Sequence, residues 1–340
     1  MVHPPALKAA LKRGALLTAA NWPLVAIQFI AQGLLKLLLA VPVVGGVFLV
    51  VLLLGADAEE ILAGDLREIL TSVFTSLRAN PAALAAFAAA FLLALAGGSA
   101  LTFMVKGGTV SILAKAEADA GAIERPPLRV EALRRARRLE IEPFLAGCRR
   151  LGPRYLRLGG CLLLAYVATG VVYLVVVIGG FTLTANVAAL LGWTIATALA
   201  SGALLVWITL VNLVYLLTQM VIAIEDIGVR AAARRVGDFL RTSLRDVAGI
   251  FGVVLLLVGL ATIASILATA GLGLIAFVPL AGLAVVPLQF AAWLLRGFVF
   301  EYLALTALTA YLTQYRHYAH GVAAGPVLTP SHGEVQGKLA

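Results

Sequence analysis

Charge is what this sequence lacks most. Only 13% of its 340 residues are Asp, Glu, Lys or Arg, about half the share found in a typical soluble domain. Hydrophobic residues make up 62% and the mean hydropathy is +1.02, which excludes a soluble globular domain of this length. Acids are scarcer than bases, 17 against 26, and the resulting +9 raises the question of nucleic acid. Position argues against that partner. The basic residues cluster in short segments beside apolar runs, without an aromatic-basic platform, where positive charge sets topology and meets anionic headgroups. Cysteine is limited to Cys148 and Cys161, in or beside a basic segment read as cytosolic, so no structural disulfide is expected. Catalytic motifs are missing as well: G-x-x-x-x-G-K-[ST], H-E-x-x-H, C-x-x-C and G-x-S-x-G do not occur. His317 and His320 lie one turn apart with no third metal ligand nearby and read as interfacial residues. Asp238, beside Gly237, has no second membrane aspartate to share a proton and reads as a solvated charge. The expectation is a chain with no catalytic residues, no cofactor and no metal.

What is present is a series of long apolar runs. A helix rises about 1.5 Å per residue and the hydrocarbon layer is about 30 Å thick, so about 20 apolar residues make one crossing. By that measure six spans are expected, near residues 22–44, 82–104, 158–180, 197–222, 247–270 and 286–312. The first continues past Pro42, Gly45 and Gly46, which predict a bent outer end. The second opens on Asn80-Pro81, a capping residue followed by proline at the first helical position. Residues 247–295 hold no charge at all, so a turn inside them is required, and Gly271, Gly273, Pro279, Gly282 and Pro287 supply it. Loop charge gives the orientation. Residues 105–157 carry twelve Lys or Arg and residues 225–246 five Arg, whereas residues 56–80 carry two Arg against five acids. Six spans with both termini in the cytoplasm satisfy the positive-inside rule at every loop. Ala56-Asp57-Ala58 resembles a cleavage site, but the apolar stretch before it is too long for a signal peptide, so span one is read as an anchor. Arg exceeds Lys 20 to 6 and Ala is abundant, which hints at a GC-rich bacterial genome, and a bacterial inner membrane is the expected setting.

The polar segments read as helices lying at the membrane surface. In residues 227–246, Arg230, Arg234, Arg241 and Arg245 fall on one stripe, and Val229, Val236, Leu240, Leu244 and Val247 on the other. Residues 58–78 place Leu62, Leu66, Ile69, Val73 and Leu77 at three- and four-residue spacing, an outer-surface helix. Residues 105–157 contain a Gly-Gly break, a Pro-Pro turn, Pro143 and Pro153, so short helices joined by bends are expected, one near 130–150. Both basic segments lead an Ala/Arg-rich helix into an apolar span. That is the pattern of an internal repeat, and shared amphipathic composition yields the same pattern. Residues 1–316 form a single membrane domain, and 317–340 a disordered cytosolic tail.

Ionisable residues inside spans are costly in hydrocarbon and pair or line a wet cavity. Lys36, Arg296 and Glu301 are the three candidates, with Lys36 and Glu301 expected at similar depth and in contact. Glu225 and Asp226 are expected to cap the surface helix that follows them.

The run I-E-D-I-G-V-x-x-A-x-R-R (residues 224–235), an apolar fifth span, and a last span ending in Tyr311 and Tyr315-Arg316 resemble the membrane domain of glycerophosphoryl diester phosphodiesterases and the YciC-like bacterial inner-membrane proteins. Val236 stands where that group has Ser, and no diesterase domain follows, so the resemblance implies a standalone membrane domain without the enzyme's activity. The expected function is a non-enzymatic scaffold or lipid-organising domain, its partners anionic lipid and a membrane protein or second copy. The alternative is a small-molecule or lipid transporter working through Lys36, Arg296 and Glu301.

Overall fold

The computed structural model describes residues 7–54, 75, 79–124, 130–182, 187–276 and 281–323. Among them the chain forms α-helices and no strand: α1 (Leu7–Ala20), α2 (Trp22–Leu54), α3 (Pro81–Asp119), α4 (Val130–Ala136), α5 (Ile141–Thr182), α6 (Val187–Glu225), α7 (Val229–Ala276) and α8 (Ala281–Ala323). Six of these, α2, α3, α5, α6, α7 and α8, are long and apolar enough to cross a membrane. The protein is an all-α, multi-pass helical bundle. The outer-surface helix expected over 58–78 falls, but for Thr75, outside the described residues, as does the chain from 324 onward.

The helices are longer than a membrane requires. At 39, 42 and 48 residues, α3, α5 and α7 extend about 58, 63 and 72 Å against about 30 Å of hydrocarbon. Burial shows where the excess lies. The core comprises Val110–Leu113 of α3, Leu151 and Tyr155 of α5, Leu217–Ala223 of α6, Val236 and Phe239 of α7, and residues 305–315 of α8. These all sit toward the end of the bundle that carries the basic segments and both described chain ends. The opposite stretches are sheathed in exposed apolar side chains, among them Leu164, Val172 and Ile178 on α5, Leu191 and Leu199 on α6, and Ile263 and Leu267 on α7. Those faces meet lipid.

The basic end closes through small residues. A Cβ on Gly107 would lie 3.1 Å from Leu151 Cβ and 3.2 Å from Gly152 N, and one on Gly108 would lie 2.7 Å from Cys148 Sγ. The Gly-Gly pair is therefore a contact of α3 with α5, inside a continuous helix, where a break was expected. Such backbone approach is the usual device of membrane helices. Helix α1, which hydropathy did not single out, docks on α8 in the same way. A Cβ on Gly14 would meet Thr306 O at 2.7 Å, Thr18 Oγ1 and Thr309 Oγ1 lie 3.1 Å apart, and Tyr302 Oη donates to Ala15 O at 3.1 Å.

Several expected breaks are continuous helix. Pro153 lies within α5. Gly271 and Gly273 lie within α7, which ends only at Ala276, and α8 runs through His317 and His320 to Ala323. The surface helix and span five are one element bent at Ser243 (φ −124°, ψ 27°). Beside the bend, Thr242 Oγ1 donates to the Asp238 carbonyl, the i−4 back-bonding that bends helices. Leu244, just past the bend, is 63% exposed, so it leaves the apolar stripe on which straight-helix geometry placed it.

Candidate functional site

The three intramembrane candidates do not converge. Lys36 is exposed on α2, and Arg296 is exposed on α8 with its guanidinium 5.7 Å from the Phe300 ring centroid. Glu301 points inward. The charge acting on it most strongly is Lys106 of α3, with Lys36 second, and no Lys36–Glu301 ion pair forms among the described residues.

Around Glu301 four helices build a cavity of ≈ 80 Å³ lined by both polar and apolar side chains. Gln28 and Gln32, one turn apart on α2, form one wall. Lys106 and Thr109 stand on α3, Gln219 on α6 and Glu301 on α8. Lys106 Nζ sits 5.4 Å from the Tyr215 ring centroid, a cation–π contact. Thr109 Oγ1 donates to the Val105 carbonyl at 3.0 Å and reaches Gln28 Oε1 at 3.5 Å. Gln28 and Gln219 are each 2% exposed, and the Nε2 of each has no hydrogen-bond partner. Two unpartnered amides on residues lining one cavity are unusual, since nearly all buried polar groups are satisfied. Residues 81–105 of α3 carry no charge and span about 37 Å. The uncharged run that ends at Lys106 is thus longer than a hydrocarbon layer of about 30 Å.

Lys106 was the residue sequence reasoning missed, because it opens the charged segment and was counted as loop. The available signal was the apolar pattern resuming behind it in Val110, Ile112 and Leu113, which marks a helix continuing past the lysine.

A second buried polar cluster is structural. Glu117 of α3, its side chain 7% exposed, lies between Arg13 Nε (3.3 Å) and Arg316 Nε (2.8 Å). Arg13 also pairs with Glu124 at 2.9 Å and donates to the carbonyls of Glu117 (2.9 Å) and Gly121, while Arg316 Nη2 donates to Ala114 O at 2.7 Å. Three helices are thus tied by carboxylates and α3 carbonyls near its C-terminus. Asn21, fully buried at the α1–α2 corner, donates to Leu17 O and Ala136 O, both at 3.0 Å, and accepts from Arg138 N at 2.9 Å. It joins that corner to the end of α4.

Glu225 and Asp226 do not cap α7 with their side chains. Asp226 adopts φ 54°, the left-handed region that Asp tolerates better than most residues, and its carboxylate pairs with Arg154 and, at 3.9 Å, Arg150 of α5. Glu225 ends α6, accepts from Tyr315 Oη and pairs with Arg235 at 3.5 Å. The first turn of α7 is closed by Gly228 O accepting from Ala232 N at 2.9 Å. The acids hold a tight turn to its neighbours. Val236, buried, packs into the core below.

Arg230, Arg234, Arg241 and Arg245 are all exposed and make no ion pair among the described residues. Arg230, Arg234 and Arg241 precede the bend at Ser243 and Arg245 follows it, with Val229, Val236, Leu240 and Val247 turned to the core. Cys148 is buried and Cys161 exposed, both as free thiols. Comparisons with protein-family models, curated proteins and solved structures returned no match.

Proposed function

We propose that this chain is a non-enzymatic integral membrane protein that carries a polar ligand, a small solute or a lipid headgroup, in the cavity between α2, α3, α6 and α8. One observation carries the reading: Gln28 and Gln219, whose Nε2 amides are buried and unpartnered, both line the cavity that holds Lys106 and Glu301. An orphaned buried amide costs about 1–3 kcal/mol, and a chain that keeps two of them on residues lining one cavity has a use for their donors. The carrier reading thereby moves ahead of the scaffold, with Lys106 taking the place given to Lys36 and Arg296. The setting we infer is a bacterial inner membrane with both termini cytoplasmic, on the strength of loop charge. The resemblance of residues 224–235 to the phosphodiesterase-associated and YciC-like membrane domains fits that setting.

A second reading has its own support. The unpaired Arg230, Arg234, Arg241 and Arg245 suit a platform that gathers anionic lipid or docks a membrane partner or second copy. The two roles are compatible, since these arginines lie on α7 and the cavity does not. Native mass spectrometry of the protein extracted from its own membranes tests the first: wild type retains a polar solute or lipid that Gln28→Leu/Gln219→Leu loses. Identical spectra for the two proteins refute it.

A further inference from the structure

The cavity presents opposite charges on different helices without letting them meet. Lys106 and Glu301 act on each other electrostatically but form no ion pair within 4.0 Å, although both line the same ≈ 80 Å³ space. In a low-dielectric site an unbridged pair of this kind is costly, and a group carrying both signs would satisfy it. The uncharged donors are placed unevenly. Gln28 and Gln219 offer free N–H groups, which, with the Lys106 ammonium, make a donor set for oxygens, and Glu301 is the cavity's only carboxylate among its described lining residues.

We propose that the cavity recognises a zwitterion bearing a phosphate or carboxylate and a primary ammonium. Its oxygens take the Lys106 ammonium and the Nε2 amides of Gln28 and Gln219, and its ammonium donates to Glu301. Primary ammonium is specified because a carboxylate in a small cavity gains from N–H donors, which a trimethylammonium lacks. The same chemistry arrives from two sources, an ethanolamine phospholipid whose headgroup enters the cavity, or a free zwitterion such as an amino acid. This inference rests on the ligand-cavity reading and sharpens it.

The full chain in nanodiscs provides the test. O-phosphoethanolamine, inorganic phosphate and ethanolamine are titrated separately as soluble probes. Competition among phosphatidylethanolamine, phosphatidylcholine and phosphatidylglycerol, read by native mass spectrometry, forms the lipid arm. We expect O-phosphoethanolamine or phosphatidylethanolamine to bind at least about tenfold more tightly than the probes lacking one charge, the scale of one charge-assisted hydrogen bond. Preference in the soluble arm alone assigns the free zwitterion, and preference in the lipid arm assigns the phospholipid. Glu301→Gln should abolish the preference while phosphate binding persists, and Lys106→Gln should weaken phosphate and zwitterion alike. Phosphate binding as tightly as O-phosphoethanolamine, with Glu301→Gln without effect, overturns the zwitterion and leaves the ligand cavity standing. Absence of binding by every probe, with both variants indistinguishable from wild type, overturns the inference and the carrier reading together.

Discussion

Replacing Gln219 by Leu tests the central claim, because the binding and structural readings predict opposite signs. The side chain is 2% exposed and its Nε2 has no partner. Folding therefore strips an amide of water without compensation, a cost of about 1–3 kcal/mol. Leucine has similar volume and no polar atom, so the ligand-free variant should be more stable by about that amount. Gln28→Leu should act likewise, and because the two line one cavity their effects need not add. The gain is confined to the empty protein. Ligand stabilises wild type in proportion to its saturation, and the variants, lacking donors, should gain little. Denaturant unfolding of delipidated protein in detergent, with and without O-phosphoethanolamine, measures both quantities. Loss of stability on Gln219→Leu in ligand-free protein would mean that the amide is already satisfied, and the argument from orphaned donors would fall.

Other substitutions address the rest of the molecule. Asn21→Leu removes three hydrogen bonds at the α1–α2 corner and strands Arg138 N and Ala136 O in a buried place. A loss of about 3 kcal/mol or more, with earlier proteolysis between α1 and α4, is expected on unfolding and limited digestion. Glu117→Gln leaves Arg13 and Arg316 facing each other with side chains 11% and 24% exposed. The cost should approach the about 3–5 kcal/mol of a broken buried pair, and an unaltered unfolding midpoint would contradict it. Neutralising Arg230, Arg234, Arg241 and Arg245 together to Gln should weaken binding to anionic vesicles by up to about 4 kcal/mol at low salt, at about 1 kcal/mol per charge near the surface. The difference should shrink as salt rises, and a salt-independent difference would place these arginines elsewhere than at lipid.

The number of crossings was legible in sequence because it rests on charge. Uncharged runs separated by basic and acidic loops admit few topologies, and among the described residues six helices are long and apolar enough to span. Residues 229–246 are helical as expected, with Val236 buried, Val229 and Leu240 packed against the core, and Arg230, Arg234 and Arg241 exposed ahead of the bend at Ser243. Glycine and proline misled. In a soluble domain Gly107-Gly108 reads as a break, yet here the missing side chains let α3 reach Leu151 and Gly152 of α5. Helix α1 went unread because its docking face is built from Ala10, Gly14 and Thr18, residues too small to register as an apolar stripe.

The larger obstacle is that hydropathy measures aversion to water and is silent on what replaces water. Residues 305–312 of α8 were assigned to a crossing, and together with residues 313–315 they lie in the protein core, contacted by α1 and α7. Their composition holds the clue. Thr306, Thr309 and Thr313 recur at three- and four-residue spacing beside Gln314, and each is nearly inaccessible. A lipid-facing helix has no call for such a row, whereas Thr309 bonds α1 through Gly14 O and Gln314 reaches Asp246 of α7 at 2.9 Å. Threonine-rich apolar turns thus mark where a helix leaves lipid for protein. Applied to α8, that criterion ends the lipid-facing segment before Leu305, one turn past Glu301, and puts the cavity beside the start of the buried core segment. A polar group entering there keeps one side toward the membrane, which is why a headgroup and a solute compete for the same description.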